Sequence, residues 1–299
     1  MNKNDKYVIY FGGGTMRGVF GAGVATAFQE ANFYPRIDSI YTASAGVMTG
    51  AGLLANQMRE ASPIYWEDLS ENFISKTDFY IALWQRFQDR FIKAIPEEKM
   101  RDPLHIEVLM DALTKKKPLD LEKIKSQSIP FYVKLFNLNT YKVEYLDARN
   151  DDILKILECG VSAFPYVHKV AEINDHRYIE AAIIEIIGIE HLLQKHPDQK
   201  IIIVSNGNHK RVARHQLKNM IEGKYMEWIF RDKRMYRLHA DAEEKLAKDL
   251  EIISSNPRVT LISPPQDRGV KSRTTDPRKL KLLYQDGIDA GQNFLTTIS

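Results

Sequence analysis

The sequence predicts an α/β fold built on a central, mostly parallel sheet. Short apolar segments that read as strands alternate with longer helix-like segments, as expected where parallel strands are joined by helices. The glycine turn Gly12-Gly13-Gly14 follows the first strand-like segment, and Ser44 follows the second. The 299 residues, 44% hydrophobic and 27% charged, suffice to bury a sizeable core.

The N-terminal part contains two predicted strand-helix units. Strands are expected at Tyr7–Phe11 and at residues 39–41, with helices at residues 17–31 and 45–57. Both helices are rich in small residues, although each glycine costs about 1 kcal/mol relative to alanine in a helix. The glycines are therefore expected to allow close approach of the first helix to the sheet.

Residues 58–128 differ in character and are predicted to form a helical insertion that could cover a site. Helical patterns there are interrupted by Pro63, Pro96, Pro103 and Pro118. Eight aromatic residues cluster in this stretch: Tyr65, Trp66, Phe73, Phe79, Tyr80, Trp84, Phe87 and Phe91. Most of them are expected to belong to an ordinary helical layer packed on the sheet.

The remaining segments complete one predicted domain over residues 1–299. Strands at 130–136 and 141–146 are expected to form a hairpin, followed by a helix at 151–160 and two short strands around a turn at 174–176. A buried strand is predicted at 200–205. Residues 242–299 read as a C-terminal extension, with helices at 242–253 and 276–295 on either side of a last strand, Val259–Ile262.

The bulk composition excludes several classes of function. A net charge of +3 and a pI near 8.7 are too balanced to indicate a nucleic-acid partner, yet they would not repel an anionic membrane surface. The single cysteine, Cys159, allows no intrachain disulfide and fits a reducing compartment. The N-terminus is polar, and no apolar run reaches the ~18 residues that span a bilayer. A cytoplasmic protein, with peripheral membrane contact allowed, is the resulting expectation.

Ser44, with its neighbours Ala43, Ala45 and Gly46, is typical of a nucleophile on a sharp strand-to-helix turn. Serine needs a base to take its proton and fixed donors to stabilise the oxyanion that forms. The alternative interpretation is that Ser44 only caps the helix that follows it.

The glycine turn favours the catalytic interpretation, because it offers several backbone N–H groups at a helix N-terminus. A dinucleotide site fits less well, since the glycine spacing is out of register and Asp38 is expected before its strand. A nucleotide phosphate loop would need a Gly-Lys-Ser/Thr sequence, which is absent.

Four ordered segments resemble the patatin-like phospholipases, and a bacterial branch of that family in particular. The glycine turn with Arg17 and Gly18 resembles the family's opening, and residues 41–46 stand where the family has G-x-S-x-G. Residues 160–165 resemble its A-S-x-A-x-P segment, and residues 177–182 stand where it has Y-x-D-G-G/A. The tail, residues 259–264 with 276–280 and 283–287, extends the resemblance over nearly the whole chain.

The resemblance implies a three-layer α/β/α fold and a lipid acyl hydrolase that works through a Ser–Asp dyad without histidine. No cofactor is expected, and no metal either, because the sequence has no HExxH motif or cysteine cluster. Ser44 would be the nucleophile, and Glu180 stands at the position of the aspartate base. Backbone N–H groups of Gly13, Gly14 and the Arg17-Gly18 segment would form the oxyanion hole. The substrate would be a lipid or another acyl ester. Oligomeric state does not follow from the sequence.

Four positions depart from the family pattern. Thr15 replaces a fourth glycine, Thr42 the first glycine of the elbow, Glu180 the aspartate and Ala181 the glycine after it. β-branched threonine resists positive φ and adds bulk to a tight turn. Misplacing a catalytic group by about 1 Å can cost on the order of 100-fold in rate. Yet glutamate keeps the carboxylate, so any impairment would be geometric.

Three hypotheses therefore stand. The favoured one is a lipid acyl hydrolase with a Ser44–Glu180 dyad, and the second is an impaired family member that binds lipid or a protein partner without turnover. The third, a Ser-His-Asp esterase, requires a histidine after Glu180 in a post-strand turn. The candidates are His191, His196, His209, His215 and His239, of which His191, His196 and His215 are expected to be solvated.

One further pattern is a basic run between residues 211 and 237. Its members are Arg211, Arg214, Lys218, Lys224, Arg231, Lys233, Arg234 and Arg237. A solvated helix face is the first interpretation, and contact with phospholipid headgroups is the second.

Overall fold

The structure is a computed structural model that describes residues 5–92, 99–164, 166–167, 169–207 and 216–298. Within these ranges, one eight-stranded sheet carries helices on both faces. The strands are β1 (Tyr7–Phe11), β2 (Ile37–Thr42), β3 (Phe131–Asn137), β4 (Lys142–Asp147), β5 (Ala171–Ile173), β6 (His176–Glu180), β7 (Lys200–Val204) and β8 (Val259–Ile262). The helices are α1 (Val19–Glu30), α2 (Ala45–Ala55), α3 (Met58–Ala61), α4 (Ile64–Glu67), α5 (Lys76–Phe91), α6 (Ile106–Asp111), α7 (Leu121–Ser126), α8 (Ile153–Val161), α9 (Ile189–Lys195), α10 (Gln216–Phe230), α11 (Lys233–Ala240), α12 (Ala242–Ser255) and α13 (Pro277–Ile298).

The sheet is mixed, with mostly parallel strands, and confirms the predicted α/β class. Its order is β5-β6-β3-β2-β1-β7-β8, and β4 pairs with β3. Strands β3, β2, β1, β7 and β8 are mutually parallel. Strands β4 and β6 run antiparallel to β3, and β5 runs antiparallel to β6. The antiparallel part arises because β3–β4 and β5–β6 are joined by tight turns, which cannot connect parallel strands.

Strand β1 shows how the three layers form. All five of its residues are buried. Tyr7, Ile9 and Phe11 belong to the core cluster that also contains residues of α1, α2 and α13, whereas Val8 and Tyr10 belong to the cluster with residues of α9 and α12. Side chains alternate across a strand, so a strand covered on both faces reads as a continuous apolar run.

The glycines of α1 serve a different contact from the one predicted. A Cβ added at Gly23 would lie 2.2 Å from the Tyr284 carbonyl oxygen of α13, and one at Gly287 would lie 2.1 Å from the Phe20 carbonyl oxygen of α1. The expectation that these glycines bring α1 close to the sheet was therefore wrong for Gly23. The close approach there is between two helix backbones, which ties the C-terminal helix onto the N-terminal unit.

The observed starts of β2 and α1, two elements near the glycine turn and Ser44, differ from the predicted ones. Strand β2 begins at Ile37, so Asp38 lies within the strand and not before it. The first helix does not begin at Arg17, because residues Thr15–Gly18 form a separate 3-10 turn before α1. Thr15 has a φ of 50°, and the sharp direction change after the glycines explains why the helix starts late.

The stretch between α2 and β3 is largely helical, and it divides the predicted aromatic cluster. Tyr65 and Phe73 are buried and Trp66 packs on the core, whereas Tyr80, Trp84 and Phe87 are exposed on α5. The side chains of Phe79 and Phe91, like Pro96, lie outside the described residues. The expectation that most of these aromatics pack in a helical layer therefore fails for α5.

Candidate active site

Ser44 lies on a sharp turn between β2 and α2. Its φ of 51° and ψ of −131° are rare for a residue with a side chain, and such strain concentrates at functional sites. Gly46 permits the turn, because a Cβ there would lie 2.1 Å from the Phe11 carbonyl oxygen. Although Ser44 precedes α2, its side chain makes no capping hydrogen bond to the helix. The hydroxyl is therefore not used as a helix cap.

Thr42 occupies the elbow without disturbing it. It is the last residue of β2 and has an extended backbone, so the positive φ of the turn falls on Ser44 instead. Its hydroxyl donates to the Tyr132 carbonyl oxygen at 3.0 Å. Its methyl group points at Gly50 of α2, where an added Cβ would lie 2.7 Å away. The absence of a side chain at Gly50, in the helix that packs over the sheet, thus leaves room for the Thr42 methyl group. Thr42 therefore does not crowd the turn, contrary to the prediction.

Glu180 lies near Ser44 because two strands, β2 and β6, share one edge of β3. Strand β4 pairs with β3 from Tyr132 to Asn137, so it fills one edge of β3. The other edge is shared, by β2 up to Thr42 opposite Val133 and by β6 from Glu180 opposite Leu135. Strands β2 and β6 therefore meet end to end, and their last positions lie two residue steps apart along β3, roughly 7 Å. Glu180 is the last residue of β6 at this junction, and Ser44 lies two residues after the end of β2.

The environment of Glu180 tunes its carboxyl group. The residue is 1% exposed, and burial raises its pKa to about 7. The charge of Lys134, the Ala182 backbone N–H and a hydrogen bond with the Ser44 hydroxyl act against this shift. Burial thus brings the pKa of this carboxyl group from the acidic range towards neutrality, and its ionised form can accept the Ser44 proton.

Lys134 is a buried cation that sequence reasoning missed. It sits in β3 next to Leu135, the partner of Glu180. Its ammonium donates to the carbonyl oxygens of Glu185 (2.6 Å) and Ile187 (3.0 Å), and it lies 3.7 Å from the Glu185 carboxylate. It therefore holds the loop that follows Glu180. A lysine inside the apolar run Phe131–Phe136 was the signal that could have drawn attention to it.

The glycine turn lies directly beside Ser44. A Cβ at Gly13 would lie 2.8 Å from the Ser44 Cβ, and Gly14 has a φ of 148°. Neither position tolerates a side chain without displacement. Among the described residues, no protein acceptor takes the N–H group of Gly13 or Gly14. These two donors are available to an oxyanion at the Ser44 side chain.

Arg17 and Gly18 occupy the next turn and are placed differently. The Arg17 N–H donates to the Gly14 carbonyl oxygen at 3.1 Å, so it is engaged within the 3-10 turn. The Arg17 side chain lines a separate polar cleft together with the loop that follows β8, and burial lowers the pKa of its guanidinium. Gly18 permits contact between the turn and the start of α2, because a Cβ there would lie 2.6 Å from the Ala45 Cβ.

Asn206, at the end of β7, holds the glycine turn in place. Its amide nitrogen donates to the carbonyl oxygens of Gly12 (2.7 Å) and Gly13 (3.2 Å), and its oxygen accepts from the Gly21 N–H at 2.8 Å. The residue was not predicted. A polar residue directly after a buried strand was its only signal, because the sequence does not say that β7 lies next to β1.

A narrow apolar cavity of about 50 Å³ adjoins Ser44. Its walls come from α2, from the helical stretch 58–113 and from the end of α8. They include Met48, Met58, Tyr65, Leu69, Leu109 and Val161. The cavity therefore offers an apolar group room beside the Ser44 hydroxyl.

The histidines considered for a triad lie elsewhere. His196 contacts the Tyr41 hydroxyl at 2.9 Å and the Asp38 carboxylate at 3.3 Å, and His191 stacks on Tyr145 at 4.1 Å. The expectation that His196 is solvated was wrong, because Tyr41 and Asp38 cover most of its side chain. His191 is exposed, as expected, with one face of its ring on Tyr145. The His239 ring lies 3.0 Å from the Ile183 carbonyl oxygen and 3.5 Å from the Glu222 carboxylate. His209 and His215 lie outside the described residues.

The basic run is partly described. Lys224 pairs with Glu227 and Arg234 with Asp232, as expected of solvated helix faces. Arg211, Arg214 and the Lys218 side chain lie outside the described residues, as does Pro165 of the third family-like segment. In the described part of the chain, no group of three or more His, Cys, Asp or Glu side chains could hold a metal ion. No helix there is long and apolar enough to cross a bilayer.

Comparison with known proteins identifies the family. The model of the patatin-like phospholipases matches residues 9–193, which is more than half of the chain. No curated protein matches. Among solved structures, the crystal structure of VipD from Legionella pneumophila matches with 13% identity and a TM-score of 0.49, over 98% of this chain and 67% of that one. On the strength of the family match, which includes the end of β1, the elbow of Ser44 and Glu180, this chain belongs to the patatin-like phospholipase family.

Proposed function

We propose that this protein hydrolyses acyl esters of lipids, with Ser44 as the nucleophile and Glu180 as the general base. The observation that carries the proposal is the end-to-end meeting of β2 and β6. It brings Ser44, which has a strained backbone and a hydroxyl that does not cap α2, to a carboxyl group whose pKa is about 7. A base with a pKa near the working pH combines a sufficient ionised fraction with a sufficient driving force for proton transfer.

The chemistry follows a double displacement. Ionised Glu180 takes the proton of the Ser44 hydroxyl while its oxygen attacks the ester carbonyl carbon. The tetrahedral oxyanion accepts hydrogen bonds from the Gly13 and Gly14 N–H groups, and the C–O bond to the alcohol breaks as Glu180 returns the proton to it. Water then repeats the sequence on the acyl-enzyme, which releases the fatty acid and restores Ser44.

The remaining assignments are part of the same proposal. The Arg17 N–H would have to leave the Gly14 carbonyl oxygen before it could contribute to the oxyanion hole, so Gly13 and Gly14 are the primary donors. The apolar cavity beside Ser44 would take the acyl chain. Residues 58–128 act as a lid within one domain that includes residues 242–299. Cytoplasmic action on a lipid surface, without nucleic acid, fits the charge and composition.

Fluorophosphonate labelling of the purified protein tests the dyad. We expect the wild type to be labelled, Ser44→Ala to be unlabelled and Glu180→Gln to be labelled at least about 100-fold more slowly, because a neutral amide cannot take the proton. Ser39→Ala is the matched control, since Ser39 is a buried serine like Ser44 but lies within β2, before the turn. Labelling of Ser44→Ala at the wild-type rate would overturn the proposal.

The second candidate is an impaired family member that binds lipid without turnover. It is favoured by one observation, the extra methylene of Glu180 where the family has aspartate, in a site too buried for the carboxylate to shift freely. An unlabelled wild type together with a labelled Glu180→Asp variant would select this candidate, because shortening one side chain would then have restored the geometry.

A further inference from the structure

Helix α5 exposes a row of large aromatic side chains on one face. Tyr80, Trp84 and Phe87 are 72%, 56% and 44% exposed, and their spacing of four and three residues aligns them along the helix. The rings of Trp84 and Phe87 stack at 5.7 Å, and Ile92, 65% exposed, follows at the helix end. We call Tyr80, Trp84, Phe87 and Ile92 the α5 aromatic face.

This concentration of exposed apolar residues is local. Among the described residues, four of the eight exposed large hydrophobic side chains belong to the α5 aromatic face. Of the others, Met220 and Ile221 are neighbours on α10, and Leu154 and Leu282 stand singly on their helices. Single exposed apolar residues are normal on a protein surface, whereas a contiguous patch marks an interaction site.

The helix is joined to the wall of the cavity beside Ser44. Two segments flank α5 and pair with each other: the Ser75 N–H donates to the Pro103 carbonyl oxygen, and the His105 N–H donates to that of Phe73, both at 2.9 Å. Phe73 and Leu104, which belong to this pairing, line the cavity. The segment that leads into α5 is therefore part of the wall of the proposed substrate cavity.

Cationic groups flank the same helix. Gln85, in the middle of α5, holds the exposed segment with Lys99 and Arg101 by hydrogen bonds to the Lys99 carbonyl oxygen (2.9 Å) and from the Arg101 N–H (2.8 Å). The acidic Asp78 is occupied by Arg101 at 3.0 Å and His105 at 3.1 Å. Aromatic rings with flanking cations suit the headgroup region of a bilayer that contains anionic lipid.

We infer that the α5 aromatic face docks on a lipid surface, with Trp84 and Phe87 inserted at headgroup depth and Lys99 and Arg101 beside anionic headgroups. We commit to a bilayer with anionic lipid rather than a protein, because the exposed Lys99 and Arg101 lie beside the rings and Trp and Tyr suit the headgroup region. The inference rests on the proposed function, since docking would bring the wall of the acyl cavity to the surface that holds the substrate.

Vesicle binding tests the docking without turnover. The Ser44→Ala protein is sedimented with vesicles of phosphatidylcholine containing one quarter phosphatidylglycerol. We expect binding, and a loss of at least about tenfold in partitioning when Trp84→Ser or Phe87→Ser is added. Leu282→Ser is the matched control, because Leu282 is similarly exposed but lies on α13, and its partitioning should match that of Ser44→Ala alone.

A second readout reports the position of Trp84 directly. In the Ser44→Ala protein, bilayers with brominated acyl chains should quench part of the tryptophan fluorescence, and Trp84→Phe, which keeps an aromatic ring, should bind but lose that quenching. Absence of vesicle binding, equal losses in the Leu282→Ser control, or self-association of the protein through α5 in sedimentation velocity would each overturn the inference. Binding by a protein that hydrolyses no ester would support docking and refute only the proposed function.

Discussion

At the level of single residues, Thr42 shows why a departure from a motif need not disturb the turn to which it belongs. The family pattern has glycine there, but the positive φ of the elbow falls on Ser44, and Thr42 stays extended with its methyl group against Gly50. Glu180 is the opposite case. Its neighbours also determine its protonation, because burial raises the pKa of the carboxyl group and the charge of Lys134 lowers it.

The pKa of Glu180 predicts the pH dependence of the reaction. In the proposed mechanism only the ionised carboxylate accepts the Ser44 proton, so kcat/KM for a soluble ester should rise as the pH increases through about 7 and level off above it. Lys134→Met removes the charge that lowers this pKa, so the midpoint should move to higher pH. Lys142→Met, on the exposed edge strand β4, is the control. A midpoint near 4.5 in the wild type would show that Glu180 is not the base.

Asn206 is predicted to position the glycine turn. Asn206→Leu keeps the volume but leaves two carbonyl oxygens and the Gly21 N–H without their partner, so we expect about 2–4 kcal/mol less unfolding free energy. Because the Gly13 N–H would no longer be fixed beside Ser44, kcat should fall at least about tenfold with little change in KM. Urea unfolding and steady-state kinetics measure the two effects, and an unchanged kcat in a folded variant would contradict the assignment.

At the level of secondary-structure elements, the contact of α1 with α13 is notable because the two helix backbones touch each other directly. Glycines on both helices let the backbones approach until a carbonyl oxygen of each fills the place of a Cβ on the other. Glycine is unfavourable within helices, so its presence here is explained by the close approach and not by local conformation, since neither Gly23 nor Gly287 has a positive φ.

Gly23→Val should therefore be strongly destabilising. Its Cβ would lie 2.2 Å from the Tyr284 carbonyl oxygen, which is backbone and cannot move aside, so we expect a loss of at least about 2–3 kcal/mol. Gly52→Ala in α2 is the matched control, because its nearest atom is the flexible Met58 sulfur at 2.9 Å, and it should be neutral or stabilising by up to about 1 kcal/mol. Denaturant unfolding of both variants measures the difference. Equal stabilities would contradict the packing.

At the scale of the whole molecule, the two ends of the chain share one core. Phe294 of α13 packs against Tyr7, Phe28 and Phe33, with ring centroids 5.8–6.3 Å apart. Strand β8 extends the sheet beside β7. Removal of either end would leave apolar surface of the other exposed, so the proposed single domain should unfold as a unit.

Phe294→Ala tests this cooperativity. We expect a loss of about 3–4 kcal/mol, and the same unfolding midpoint whether the transition is followed by tryptophan fluorescence or by circular dichroism. Leu282→Ser, exposed on the same helix, should leave the midpoint within the usual range of surface substitutions. Two separate transitions, with only one shifted by Phe294→Ala, would indicate an independent C-terminal unit.

The sequence by itself determined the α/β class, the strands β1, β7 and β8, and the two segments that deliver Gly13 and Ser44. These features are local, because a buried strand reads as a short apolar run and a tight turn needs small residues within a few positions. Only the tertiary structure decided that β2 and β6 share one edge of β3, that Asn206 fastens the glycine turn and that Lys134 acts on Glu180. Each of these depends on which strands are neighbours, and strand order is set by packing between segments far apart in the chain.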